Sequence, residues 1–389
     1  MYFVGIDVTK YKHNCFILNE FGEVIVNDLV ITNSHDGFST LLTTLESLDS
    51  SSEIKIEFES TSHYTSNLKR FLENAHYSFM ESNPALISKF IHSQTLRKPK
   101  NDSIKSRSIA HWLMTVDYKP YPIGFYHTYS LKTLTRLRDT IVRQRSLYMV
   151  KLTNVLDHVF PEFKSFFKEK FSQTALYILE KYHTPERISR MNSASYEAIR
   201  CVSRSKFSMQ RFISLKELAF NTVGDSNEIF ETQLIRILNL FRLADSEVER
   251  IEKEIVSLVT ELNPQSITIP EIGPISAAVI ASEYGDISRF SSPSQMLSFA
   301  GLEPGYFQSG TMEFQEKMVK RGSSQLRYVL MNCTMPLIMY NMVFAEYYHK
   351  KRAEGKPHRV ALNHVAKKLI RVIYTLETKN IPFDASQLR

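Results

Sequence analysis

Three carboxylates stand at the ends of elements in the first third of the chain: Asp7 in YFVGID, Glu59 in EIKIEFE and Asp102 in KNDSIK. A carboxylate set in an apolar strand pattern needs a partner or a cation, because a bare buried charge is strongly destabilising. Three such groups converging from separate elements make an all-oxygen set. A hard ion such as Mg²⁺ prefers such ligands, and it keeps waters and substrate phosphates in the rest of its shell. An ion held this way activates a nucleophile and neutralises charge developing on a phosphate. Taken singly, each acid has a plainer reading: Asp7 as a turn or cap residue, Asp102 as a helix N-cap. The signal lies in the order of the set, with an acid on the first strand, an acid on the fourth, and an acid on the helix after the fifth.

That order depends on the elements that must position the acids. Residues 2–7, 13–18 and 23–27 read as strands, the last two joined by a turn at Asn19-Glu20-Phe21-Gly22, which makes an antiparallel meander. Residues 53–59 alternate charged and apolar as a fourth strand. A helix over about 63–75, a short strand near 77–81 and a helix opened by Asn83-Pro84 follow. Residues 92–101 read as a basic loop with Arg97, Lys98 and Lys100. Asn101 or Asp102 then caps a helix that runs to about 115. This is the RNase H-like order of an α/β domain over residues 1–125, ending in a linker at Tyr118–Tyr126.

The middle of the chain, 126–262, reads as helical. Leu131, Leu134, Ile141, Met149, Leu152, Val155 and Val159 fit helical spacing, and Val248, Ile251, Ile255, Leu258 and Leu262 step by threes and fours with charges between. The second seam has the heptad spacing of a coiled coil, in an antiparallel or intermolecular helical hairpin. Between the seams, about 160–225, lies an irregular aromatic and basic insertion. Asn263-Pro264 and Ile269-Pro270 break the helix and open a third region, 263–389, mainly α with a loop around 301–323.

The 389-residue chain carries a formal charge of +7. The excess is local: residues 315–372 hold 12 Lys and Arg against 3 Asp and Glu, the form expected of a phosphate-binding surface. Lys317, Lys320, Arg321, Arg327, Lys367, Lys368 and Arg371 are the candidate nucleic-acid contacts, of a kind that positions DNA without reading its sequence. Three scattered cysteines, Cys15, Cys201 and Cys333, argue against a disulfide framework or structural zinc and for a reducing cytoplasm. No signal peptide or membrane-length apolar run is legible, so no membrane partner is expected.

The segments GIDVTK (5–10), ESTSHY (59–64), NPAL (83–86) and KNDSIKSRSIA (100–110) resemble the DEDD transposases of bacterial insertion sequences, the group that includes Piv-type invertases and bridge-RNA-guided recombinases. So do IPEIGPISAAVIASEYGDISRF (269–290), LSFAGLEPGYFQSG (297–310), KMVKRGSSQLR (317–327) and IPFDAS (381–386). The resemblance implies a RuvC-like first domain whose carboxylates bind Mg²⁺, with Mn²⁺ as an alternative ion. Asp7, Glu59 and Asp102 match the first three of its four acids. It further implies that the serine of the "SG" step, matched by Ser309, attacks DNA. Homo-oligomers (dimer or tetramer) whose subunits share an active site, a noncoding guide RNA that pairs with donor and target duplexes, and a bacterial cytoplasmic location are implied as well.

Read from its surroundings alone, Ser309 is a serine in a turn-rich stretch with no nearby histidine to activate it. Two positions depart from the family pattern. Lys105 stands where the fourth acid belongs, three residues after Asp102 and so on the same helix face. Three carboxylates and a lysine leave a charge that suits one divalent ion rather than two, with Lys105 contacting a phosphate or replacing the second cation. Glu271 stands where the family's helical hairpin has glycine, and an acid there opposes close phosphate approach. Two rival readings follow: a RuvC-like junction nuclease using metal-activated water, and a degenerate copy that binds nucleic acid without cutting it.

Overall fold

A strand whose one polar side chain is a single internal acid must be covered on both faces, and β1 (Tyr2–Val8) is buried along nearly its whole length. The computed structural model describes residues 1–59, 62–94, 102–120, 125–169, 171–225, 227–309, 312–318 and 322–388. The side chains at 62, 94, 102, 103, 125–127, 304–309, 312–318 and 388 lie outside that description. The chain forms two compact units, one comprising Met1–Ser130 and Ile280–Arg389, the other Leu131–Val279.

In the N-terminal part, β2 (Lys12–Asn19) and β3 (Val24–Thr32) extend β1 as an antiparallel meander. Helix α1 (His35–Glu46) follows, started by the Ser34 side chain accepting from the Gly37 amide. Next come β4 (Ile54–Glu59), α2 (Ser66–Asn74) and β5 (Phe79–Ser82), which add two parallel strands to give the order β3-β2-β1-β4-β5. Leu41, Leu45, Leu68 and Leu72 from α1 and α2 pack with Val4, Ile6, Ile56 and Phe58 on one face. After α3 (Pro84–Gln94), α4 (Asp102–Thr115) lies on the opposite face. The mixed α/β sheet agrees with the reading of the pattern. Helix α1 escapes that reading because FSTLLTT is rich in Ser and Thr, which are weak helix formers.

In the second unit, α5 (Phe125–Val159) is paired antiparallel with α11 (Glu228–Leu262). Arg138 meets Glu252 at 2.5 Å and Arg145 meets Asp245 at 2.8 Å. The buried seam of α11 is Val248, Ile251, Ile255 and Val259, with Leu262 40% exposed. The expected step to Leu258 and Leu262 fails because a straight helix of 3.6 residues per turn drifts off a heptad.

The expected irregular insertion at 160–225 is instead a set of helices: α6 (Phe163–Phe166), α7 (Gln173–Tyr182), α8 (Pro185–Ser189), α9 (Ser193–Val202) and α10 (Met209–Phe220). Its aromatic residues build the core of this unit, Phe163, Phe167, Phe207 and Phe212 being buried with Leu176, Leu179 and Leu215. The helices are short, each of α7 to α10 started afresh by a side-chain N-cap at Ser172, Thr184, Asn192 or Ser208, so no single helical period runs long enough to be read from sequence.

The C-terminal part contains α12 (Pro274–Tyr284), α13 (Pro293–Ala300), β6 (Pro304–Ser309), β7 (Met312–Met318), α14 (Ser324–Tyr340), α15 (Met342–Ala353) and α16 (His358–Lys379). The loop expected around 301–323 is a β-hairpin, β6 pairing antiparallel with β7. Its strands, PGYFQS and MEFQEKM, carry glycine and charge instead of a β-branched run, so backbone pairing defines them and the residue pattern does not. Among the described residues no single helix is long and apolar enough to cross a membrane.

Candidate active site

The site begins at a glycine. A Cβ on Gly5 would stand 2.3 Å from the Ser106 carbonyl oxygen and 2.4 Å from the Ala110 nitrogen. The missing side chain therefore lets the backbone of α4 lie directly on β1. Residues two apart on a strand share a face, so Asp7 points to the same side as Gly5, beneath the first turns of α4. Asp7 is 1% exposed. Lys105 reaches it from the helix, its Nζ 3.9 Å from Asp7 Oδ1, with the lysine side chain 47% exposed. Asp102 is the first residue of α4, and its side chain lies outside the described residues.

The β1–β4 register pairs Ile6 with Phe58. Asp7 and Glu59 are the next residues on these parallel strands, side by side at their carboxyl ends and on the α4 face. Glu59 in turn pairs with Ser82 of β5. On the other side, Asp7 pairs with Asn14 of β2, whose Nδ2 donates to Asp28 Oδ1 at 2.9 Å. Among the described residues no three His, Cys, Asp or Glu side chains form a group able to hold a metal ion. The structure thus brings Asp7, Glu59 and Lys105 to one face.

Two residues of this face were not singled out from the sequence. Asn14 is one. The other is Glu57, which is 0% exposed and pairs in register with Gly5. Ser82 Oγ donates to Glu57 Oε1, and Trp112 Nε1 of α4 donates to Ser82 Oγ at 3.4 Å. Burial pushes the Glu57 carboxyl up to about 7, against the smaller opposing effect of its Ser82 and Trp112 hydrogen bonds. The alternation in EIKIEFE places Glu57 on the same side as Glu59, and that was the available signal. It reads as a solvent face until α4 is known to cover it.

The raised value has a sign. The folded protein keeps a proton on Glu57 that the unfolded chain gives up near the ordinary value of 4.5. Its contribution to stability is whole below that pH and is lost as pH rises through about 7. Glu57→Gln should therefore unfold at nearly the wild-type urea concentration at pH 4. At pH 8.5, without divalent ions, it should be more stable by on the order of 3 kcal/mol. The single tryptophan, Trp112, reports the transition by fluorescence. Equal midpoints at both pH values would rule out a proton held on Glu57.

Ser309 is the last residue of β6 and pairs with Met312 of β7, so it stands at the hairpin tip, beside the Gly310-Thr311 step. The base of the hairpin is clamped. Gly301 ends α13 in the left-handed conformation (φ +66°), and a Cβ on Gly322 would meet the Phe299 carbonyl oxygen at 2.0 Å. Ser323 N donates to Phe299 O at 3.0 Å, and Ser323 Oγ to Glu283 Oε2 at 3.1 Å. Gly301 and Gly322, which flank the hairpin in the chain, are thus both held beside Phe299, and Ser309 lies at the other end of β6.

The expected basic contacts divide. Lys320 and Arg321 lie outside the described residues, as does the side chain of Lys317 on β7. Arg327 donates to Ala300 O at 3.2 Å, tying α14 to the end of α13. Lys368 donates to Val343 O at 3.5 Å and sits 5.1 Å from the Tyr347 ring centroid. Lys367 and Arg371, one turn apart on α16, share a face, and Arg371 is exposed. Burial lowers both Lys367 and Lys368 from the usual ammonium value, and Arg371 lowers Lys367 further. Lys368, Arg371 and Lys379 also line a cavity of about 480 Å³ with Tyr347, Thr375 and the segment from Ile381.

Comparison with known proteins places the chain among transposases. Residues 4–161 match a transposase family of the DEDD, IS110 type, and residues 267–349 match the transposase family IS116/IS110/IS902. The chain is 24% identical over 380 residues to the insertion element IS116 uncharacterized 44.8 kDa protein of Streptomyces clavuligerus, covering 96% of this chain and 94% of that protein. It is 28% identical over 191 residues to the transposase for insertion sequence element IS1328 of Yersinia enterocolitica, covering 46% and 55%. It is 27% identical over 139 residues to the pilin gene-inverting protein of Moraxella bovis, covering 34% and 42%. With both ends of the chain matched and one relative aligned along nearly its whole length, the protein belongs to the IS116/IS110/IS902 family of transposases and is a DNA recombinase.

Proposed function

We propose that this transposase cuts and rejoins DNA through a serine–DNA covalent intermediate, with Mg²⁺ assistance and guidance by a noncoding RNA. The observation that carries the reading is the placement of buried Asp7 beside Glu59 at the carboxyl ends of adjacent strands, under the helix that starts at Asp102. The domains are read as a RuvC-like (RNase H-like) metal domain over 1–125, a helical coiled-coil region over 126–262 and a transposase domain over 263–389.

The oxygen-only donor set of Asp7, Glu59 and Asp102 fits a hard divalent ion, Mg²⁺ or Mn²⁺. When bound, such an ion polarises the scissile phosphate. Lys105 adds a fixed positive charge next to Asp7, which it reaches at 3.9 Å. Ser309 Oγ attacks the phosphorus, the bond from phosphorus to the leaving DNA oxygen breaks, and the proton lost by the serine is balanced by one taken up on that oxygen, which leaves as a hydroxyl. The resulting phosphoserine diester keeps the energy of the broken bond. A hydroxyl on the second duplex then reverses the step and frees the serine, so strand exchange needs no ATP. Lys317, Lys320, Arg321, Lys367 and Arg371 hold backbone phosphates, and sequence is read by the RNA pairing with donor and target duplexes. A homo-oligomer, dimer or tetramer, brings the serine of one subunit to the carboxylates of another.

The test uses the full-length protein, the noncoding RNA flanking its gene, labelled donor and target duplexes, and Mg²⁺. A protein–DNA band should survive denaturing electrophoresis for the wild type and be absent for Ser309→Ala. Cleavage by both proteins with no such band would replace this reading with a junction nuclease using activated water. Binding without cleavage would mark a degenerate copy.

A further inference from the structure

We infer that Asn14 lends its amide oxygen to the divalent ion that Asp7 and Glu59 would hold, an inference that rests on the metal-dependent reading above. Asn14 lies opposite Asp7 in the β1–β2 register, so both side chains face α4. Side chains paired this way have Cβ atoms about 4.5–5.5 Å apart. Asn14 is 4% exposed.

The orientation of its amide is dictated by its partner. Nδ2 is 2.9 Å from Asp28 Oδ1. An ionised carboxylate only accepts hydrogen bonds, so the end of the amide that meets Asp28 is the NH₂ group. β2 lies between β3, which carries Asp28, and β1, which carries Asp7. With the nitrogen committed to the β3 side, the oxygen is left on the Asp7 side. That oxygen, Oδ1, is buried and accepts no hydrogen bond.

A buried amide oxygen without a donor is destabilising. Its neighbour Asp7 is a carboxylate and, when ionised, has no proton to give. A hard cation takes neutral carbonyl oxygens alongside carboxylates. Asn14 therefore completes an oxygen set without adding charge, and Asp28, at the exposed edge of the sheet, is the positioning residue that aims it.

The probe is Mn²⁺ binding to the full-length protein, followed by loss of the free-ion electron paramagnetic resonance signal, with no DNA present. Asn14→Leu keeps the branched side-chain shape and removes the amide oxygen along with its NH₂ group, and it should weaken Mn²⁺ binding about tenfold or more. The exchange Asn14→Asp with Asp28→Asn keeps both the hydrogen bond and the net charge. It moves the charge next to Asp7 and should tighten binding about tenfold. Misfolding cannot mimic tighter binding, and Trp112 fluorescence checks the fold of each variant. Wild-type affinity in folded Asn14→Leu, or no tightening in the exchange, overturns the role of Asn14. Asp7→Asn separates the two readings. Unchanged Mn²⁺ binding there removes the metal site itself, whereas binding lost in Asp7→Asn but kept in Asn14→Leu removes Asn14 alone.

Discussion

Asp7→Asn is expected to slow DNA strand cleavage by about a thousandfold or more while leaving the domain folded, since several kcal/mol of transition-state stabilisation at 1.36 kcal/mol per tenfold is that large. The substitution preserves shape and takes away one charge. Asp7 is buried, next to Glu59 and 3.9 Å from Lys105, so its charge is the centre of whatever ion balance the site keeps. Removing the charge leaves Lys105 beside a neutral amide and weakens the hold on a divalent ion. Three carboxylates and one lysine suit a single ion, so titration of the DNA-bound wild type should count one tight Mg²⁺. Two tight ions would remove Lys105 from the role of second cation. Cleavage at the wild-type rate by Asp7→Asn would place the chemistry elsewhere in the molecule.

Gly5→Ala should have the largest effect on the fold for the smallest change in composition. The new Cβ would stand 2.3 Å from Ser106 O and 2.4 Å from Ala110 N, both backbone atoms of α4. No rotamer change relieves a clash with backbone, so the helix must lift from the sheet. Overpacking of this kind costs about 3 kcal/mol or more where the neighbours cannot give. Urea unfolding followed by Trp112, which is on α4, should shift its midpoint down by about 1–2 M. Lifting α4 also withdraws Lys105 from Asp7, so Mn²⁺ affinity should change together with stability. A midpoint within error of the wild type would mean that α4 is not seated on Gly5. A loss of stability without any change in Mn²⁺ binding would separate the helix from the site.

The order of carboxylates along the chain is a property of the sequence. Asp7, Glu59 and Asp102 sit at ends of elements whose apolar patterns are strong, and β1, β2, β4 and α4 fall close to where those patterns put them. Local chemistry was enough there, because strand alternation and helix caps act within a few residues. The break after Leu262 was legible for the same reason, Asn263 closing the helix in the left-handed conformation just ahead of Pro264.

Other features depended on packing between distant segments. Glu57 reads as half of an exposed alternation and is buried only because α4, some fifty positions later, lies over it through the space left by Gly5. Asn14 reads as an ordinary polar residue in a strand, and only its pairing with Asp7 and Asp28 isolates its oxygen. The 160–225 segment has helices too short to show a period, and its phenylalanines gain meaning only as a shared core. The hairpin that carries Ser309 is held by backbone hydrogen bonds and by the close approach of Gly322 to Phe299, neither of which leaves a side-chain signature. Arg327 and Lys368 count as free charges in a sequence, while the folded chain bonds both to carbonyl oxygens. Residue type and spacing set which groups are available for chemistry. Tertiary structure decides which of them meet, because burial and backbone approach are properties of segments far apart in the chain.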